Sequence, residues 1–193
     1  MIKLDTLNTI LGAKTEQVRI RCAKILTKIN DFELQLIKGH LLIEEVLYEL
    51  IKLKMLKEKP LDKARLSFAQ QLHLVEGLYY TEGIYLEWFS PAANQLNKIR
   101  NKLAHKTEPE SLDLELDKLI TMVLSNIKRE FTGSREQLAV YAISNLYTSF
   151  SCLLALFKEI DALPIIYRAL PIERQIFAVK LYNCPEYLEK TLT

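Results

Sequence analysis

The sequence predicts an all-α protein, an antiparallel helical bundle, on three observations. Glycine is scarce, 5 in 193 residues, well under the ordinary ~7%. That is too few to supply the turns of a sandwich, a barrel or a many-stranded α/β sheet. Hydrophobic residues make up 49% of the chain and charged ones 26%, which suits a buried core and argues against disorder. Apolar residues also recur at three- and four-residue steps, the period of a helix with one buried face.

The elements follow in order. Thr15 caps a first helix running to about Lys28. Asn30 with Glu33 gives a capping-box signal for a long second helix, roughly 31–57, with Leu36, His40, Ile43, Leu47 and Leu50 on one face. Pro60 ends that run, and Asp62 caps a third helix carrying Leu66, Ala69, Leu72 and Val75 as far as Leu78 and Tyr79. Ser90 followed by Pro91 starts a fourth, because proline in the first turn forfeits no needed N–H. Its stripe is Leu96, Ile99 and Leu103. Thr107 with Glu110 opens a fifth, about 108–131, striped by Leu112, Leu116, Leu119, Val123 and Ile127. Gly133, Ser134 and Gln137 punctuate the next junction. The sixth helix carries Ala139, Ile143, Leu146, Phe150, Leu153 and Phe157, a seam for one long partner helix. Pro164 and Pro171 divide the tail into two shorter helices, and Pro185 interrupts the last. Residues 1–131 read as a helical core with an N-terminal helix, and 132–193 as a C-terminal helical extension packed on it.

Several function classes fall away. No G-x-x-x-x-G-K-[ST] or G-x-G-x-x-G is present, so no glycine-rich loop cradles a nucleotide. The net charge of +2 is too small to argue globally for nucleic acid. Cys22, Cys152 and Cys184 are scattered and read as packing residues, and no His/Cys/Asp/Glu cluster has metal-ligand spacing. The expectation is therefore no metal, no cofactor and a cytoplasmic setting, with nothing at the N-terminus patterned like a signal peptide. Gln137 to Phe157 is uncharged and long enough to span a bilayer, but its polar residues and apolar stripe read as a buried helix of a soluble bundle.

One segment carries chemistry: Asn97-Lys98-Ile99-Arg100-Asn101-Lys102-Leu103-Ala104-His105-Lys106. It holds four Lys/Arg and a histidine without one acid, a patch that attracts phosphates. With the second-helix run Leu42-Ile43-Glu44-Glu45-Val46-Leu47-Tyr48-Glu49 and the stretch Leu66-Ser67-Phe68-Ala69-Gln70-Gln71-Leu72, it resembles the HEPN superfamily over roughly residues 31–131. Ribonuclease members of that helical family carry an R-x-x-x-x-H signature, often with a polar residue after the arginine. The pattern is also similar to the mannitol-repressor-like branch. Toxin members often have a tyrosine two places after the histidine, where this chain has Thr107.

The resemblance implies a metal-independent endoribonuclease, in defence or in toxin–antitoxin growth control. RNA supplies the 2′-hydroxyl nucleophile. His105 moves protons, Arg100 stabilises the phosphate oxygens, and Asn101 supports them. One imidazole cannot be base and acid at once in a concerted transfer, and the resemblance implies a homodimer with a composite cleft. It also implies an acid on the second helix facing Arg100. Glu45, an i,i+4 pair with Glu49, is taken for it ahead of Glu44, which lies beside His40 and Tyr48. Lys98, Lys102 and Lys106 are the expected RNA contacts. The partners expected are RNA, a second copy, and an antitoxin or regulatory protein, with no membrane.

Plainer readings stand beside these. The chain can instead be a non-catalytic regulatory or protein-interaction module of the mannitol-repressor-like kind. Arg100 would then pair with a second-helix glutamate, and His105 and Lys106 would complement the carbonyl end of their helix. His40 and His73 read as partly buried, hydrogen-bonded side chains. The aromatic run Tyr79, Tyr80, Tyr85, Trp88 and Phe89 can stack bases, but packing over the bundle end is the better reading.

Overall fold

The computed structural model describes residues 13–55, 59–80, 88–105, 109–127 and 131–183, and among these every regular element is a helix. They are α1 (Ala13–Thr27), α2 (Phe32–Lys54), α3 (Lys59–Ala64), α4 (Phe68–Tyr80), α5 (Phe89–Ala104), α6 (Pro109–Leu124), α7 (Arg135–Ala162), α8 (Ile165–Arg168) and α9 (Ile172–Asn183). The protein is an all-α bundle, as the glycine count and the apolar periodicity predict.

Helix α7 is the hub. It packs along α2 and α1 most extensively, then against α6, α5 and α9. Its six seam residues, Ala139, Ile143, Leu146, Phe150, Leu153 and Phe157, are all buried. The single partner expected for that seam is therefore two helices of the same chain. Residues on both sides of position 131 share one core with Leu36, Ile43, Leu47, Leu50, Leu96 and Leu119. By length and composition α7 could cross a membrane, but 67% of its most apolar window is buried inside the protein. Four of its polar side chains are satisfied locally, while the buried Ser151 hydroxyl has no hydrogen-bond partner among the described residues. Ser144, Thr148 and Ser149 hydroxyls donate to carbonyls four residues back at 2.6–2.9 Å, and so does the Asn145 amide.

The close approach of α2 and α7 depends on Gly39. A Cβ there would lie 2.6 Å from Cγ2 of Ile143, a methyl on a stiff β-branched side chain. We expect Gly39→Ala to destabilise by about 1–2 kcal/mol, overpacking exceeding the gain in helix propensity. A double-mutant cycle with Ile143→Ala, read by urea denaturation, should show coupling of at least about 1 kcal/mol. Additive effects would mean that the two helices separate freely at this point.

Element ends differ from the sequence reading where side chains choose among neighbouring caps. Helix α1 begins at Ala13, so Thr15 lies inside its first turn. Asp31, not Asn30, caps α2, its carboxylate accepting from the Leu34 N–H at 3.0 Å. The helix stops at Lys54, where Met55 turns extended. The expected third helix is two. Asp62 sits within α3, Arg65 takes a left-handed conformation (φ 47°), and the chain restarts at Ser67. Ser67 and Gln70 form a reciprocal capping box there, with Ser67 N–H on Gln70 Oε1 and Gln70 N–H on Ser67 Oγ. Helix α6 ends at Leu124 rather than 131, because Asn126 and Ser125 side chains take the Met122 carbonyl. Ser134 and Gln137 form the capping box that starts α7. Thr107, Cys184 and Pro185 lie outside the described residues.

Candidate functional site

The motif helix α5 is fixed to the bundle before its functional end is reached. Leu96 and Ile99 are fully buried. Gln95 Nε2 donates to the Glu115 carbonyl on α6 at 2.9 Å, and Ser90 Oγ hydrogen-bonds the Glu76 carboxylate of α4. Pro91 lies in the first turn, where its missing N–H costs nothing. The fixed face carries the other face outward, so Lys98, Arg100, Asn101 and His105 are exposed.

Arg100 Nη1 donates to Asn101 Oδ1 at 3.1 Å. Across the α2–α5 contact the guanidinium lies near enough to act on the ionisation of two α2 side chains, His40 and Glu44. Of the two candidate acids Glu44 feels the Arg100 charge, and among the described residues no ion pair joins Arg100 to Glu44 or to Glu45. Burial pushes the Glu44 carboxyl up, and the Arg100 charge opposes that shift. Glu45 is exposed and lines a surface groove. The two differ by one residue, about 100° around the helix, and Glu44 lines the same groove.

His40 enters the site as a residue the sequence marks only as partly buried. It is 3% exposed. Its Nε2 donates to Asn97 Oδ1 on α5 at 3.1 Å, and its ring lies 4.2 Å from that of Phe68 on α4. The other nitrogen, Nδ1, has no hydrogen-bond partner, with Glu44 Oε2 3.9 Å away, too far to bond. Desolvation, with the Arg100 charge acting in the same direction, holds His40 down to about 4 against the opposing hydrogen bond to Asn97. His40 is therefore neutral at pH 7 and works as a strut between α2 and α5.

His105 is the C-cap of α5. Its backbone N–H bonds the Asn101 carbonyl at 3.1 Å and its side chain is exposed. Among the described residues no hydrogen bond or ion pair joins it to Arg100. Lys98 is exposed. Lys102 is not a free cation: its Nζ lies 3.2 Å from Glu115 Oε1, in an ion pair between α5 and α6. Glu115, only 12% exposed as a side chain, is held down to about 2, first by Gln95, then by Lys102 and Lys118. Lys106 lies outside the described residues. We expect Glu115→Gln to lower stability by about 1 kcal/mol and to loosen α5 against α6. Faster hydrogen exchange in residues 95–104 would check this.

The remaining candidates are accounted for by packing. Tyr79 is fully buried, its hydroxyl on the Leu50 carbonyl and its ring against Phe157. Phe89 is buried and Trp88 packs edge-to-face on it. Neither Tyr79 nor Phe89 is a platform for bases; Tyr85 and the side chain of Tyr80 lie outside the description. Cys22 is buried and its thiol is pushed up to about 11 by desolvation, so it is unreactive at neutral pH. His73, expected partly buried, is exposed and bonds Glu76 at 2.9 Å. Among the described residues no His/Cys/Asp/Glu group has the arrangement of a metal site.

In comparisons with known proteins, no family model, curated protein or solved structure matches the chain.

Proposed function

We propose that the protein is a metal-independent endoribonuclease of the HEPN type, acting through Arg100 and His105. The observation that carries this reading is the solvent-facing Arg100, hydrogen-bonded to Asn101, on the same helix end as an exposed His105. A guanidinium so placed is ready to receive a phosphate, and Asn101 limits the orientations it must lose on binding. Cleavage would proceed by removal of the 2′-hydroxyl proton, attack of that oxygen on the phosphorus, and protonation of the departing 5′-oxygen. The products would be a 2′,3′-cyclic phosphate and a 5′-hydroxyl.

Five residues of helix turn side chains about 140° apart, so Arg100 and His105 of one copy do not converge on one phosphate as they stand. A homodimer that faces two such helix ends supplies both groups, and a second imidazole for the proton that the first cannot handle. The biological setting we propose is defence or toxin–antitoxin growth control.

Purified protein with mixed RNA in EDTA is the test. Cyclic-phosphate ends should accumulate, and RNA left intact at high protein concentration would overturn the reading. The Lys102–Glu115 pair favours the second reading, a non-catalytic regulatory or protein-interaction module, because it removes one cation from the expected RNA surface. Intact RNA together with a stable complex with another protein would select it.

A further inference from the structure

Two open grooves of nearly equal size lie on the surface, about 490 Å³ along α1 and about 500 Å³ along α2. They match in pattern and oppose in charge. The α1 groove carries Ile20, Arg21, Lys24, Ile25 and Lys28, and every charged group on it is a cation. The α2 groove carries Leu41, Glu44, Glu45, Tyr48 and Glu49, and every charged group on it is a carboxylate. Three cations thus stand against three acids. Each row begins with a large apolar side chain open to solvent, Ile20 at 39% and Leu41 at 44% exposed. Among the described residues no ion pair engages Arg21, Lys24, Lys28, Glu45 or Glu49. Lys24 with Lys28, and Glu45 with Glu49, are like charges four residues apart, an arrangement that weakens a helix standing alone.

We propose that the two grooves bind each other across two copies of this chain, the α1 groove of each copy closing on the α2 groove of the other. The charges select this pairing. Two α1 rows face to face, or two α2 rows, would set like charges against each other, which electrostatics penalises. RNA answers the cations alone and a polycation the acids alone. A second copy carries both complements and relieves both like-charge pairs. Ile20 and Leu41 leave water at each contact, and the charged rows fix its register. In a two-fold dimer the contact is made twice, so every groove is closed and no open chain grows. Glu44 also feels Arg100, which leaves Glu45 and Glu49 as the acids that test the contact. The proposal gives the second copy a surface and does not rest on the ribonuclease reading.

Sedimentation equilibrium of the full chain at low salt tests it. A dimer is expected, and it should dissociate as salt rises and screens the charged rows. Lys24→Glu/Lys28→Glu and Glu45→Lys/Glu49→Lys should each weaken association by at least about ten-fold, because each sets like charges across both contacts. Mixed in equal amounts, the two variants again bring opposite rows together at both contacts. They should form a mixed dimer within a few-fold of the original affinity. Circular dichroism and melting curves verify the fold of each variant, and rescue by mixing cannot come from misfolded chains. Three results would each overturn the proposal: a monomer at every concentration, a mass that keeps rising past two chains, or folded variants whose association is unweakened alone or unrestored by mixing. A dimer that ignores both charge reversals would move the second copy to another surface without touching the Arg100 chemistry, which RNA cleavage reads separately.

Discussion

Arg100→Ala lowers RNA cleavage by about 100- to 1,000-fold and leaves the fold intact; that is the expected result if the proposed activity is correct. The two halves of this expectation have separate physical bases. Arg100 is exposed and its hydrogen bond is to its neighbour Asn101, so its loss should cost no more than about 0.5 kcal/mol of stability. In a transition state with charge building on the phosphate oxygens, by contrast, a fixed guanidinium offers two charge-assisted donors where water offers none in place. His105→Ala should cost about 100- to 10,000-fold, as general acid–base catalysis generally does. Its exposed ring again contributes little to the bundle. Arg100→Lys keeps the charge without the planar fork and should fall between the unmodified protein and Arg100→Ala. The double variant should be no worse than the poorer single one, because the two groups serve one step. Mixing the two single variants supplies a further reading: a cleft built from both copies regains part of its activity, while a cleft within one chain does not. Unchanged cleavage by Arg100→Ala, with the melting curve also unchanged, would remove Arg100 from the chemistry.

The sequence made the helices legible because their signals are local. Period, proline and capping residues all act within a turn or two, and the buried seam of α7 follows from spacing alone. The errors fall where one short-range option competes with another. Asn30 and Asp31 are both competent caps, and the one that closes on Leu34 is decided by how the chain leaves α1. The box formed by Ser67 and Gln70 was readable, but an uninterrupted apolar stripe through Leu66, Ala69 and Leu72 masks the break before it. At the candidate site the same division holds. The exposed basic end of α5 is a property of one segment and shows in its composition. The Arg100 charge felt by Glu44, the commitment of Lys102 to Glu115 and the burial of His40 against Asn97 depend on which helix lies alongside. No spacing rule within α2 or α5 contains that information.

The burial of His40 has a consequence for stability that can be measured without knowing any substrate. The ring is held down to about 4 in the folded protein, against 6.5 for an ordinary histidine. Between those values the unfolded chain binds the proton and the folded one does not, so stability falls as pH falls from about 6.5 and levels off below about 4. The loss should reach about 2 kcal/mol between pH 7 and 5, and on the order of 3 kcal/mol over the whole window. Two other carboxyls of the α2–α5–α6 region are shifted, in opposite directions. Glu44 is raised, so its protonation favours the folded state and offsets some of the loss near its own titration. Glu115, held down to about 2, contributes stability that is lost only as pH falls below the ordinary carboxylate range. Urea midpoints at pH 7, 6 and 5 and constant ionic strength should therefore trace the His40 titration. His40→Gln keeps an amide in reach of Asn97 but cannot take a proton in this range. It should lower stability modestly at pH 7 and flatten the dependence between pH 7 and 5. A slope that survives in His40→Gln would assign the titration to another group and remove the neutral strut from the description of the α2–α5 contact. With Nε2–H on Asn97, the bare Nδ1 beside Glu44 is the atom that takes the acid proton. Taking it would place a second positive charge next to Arg100 inside the bundle, which is why the fold resists it.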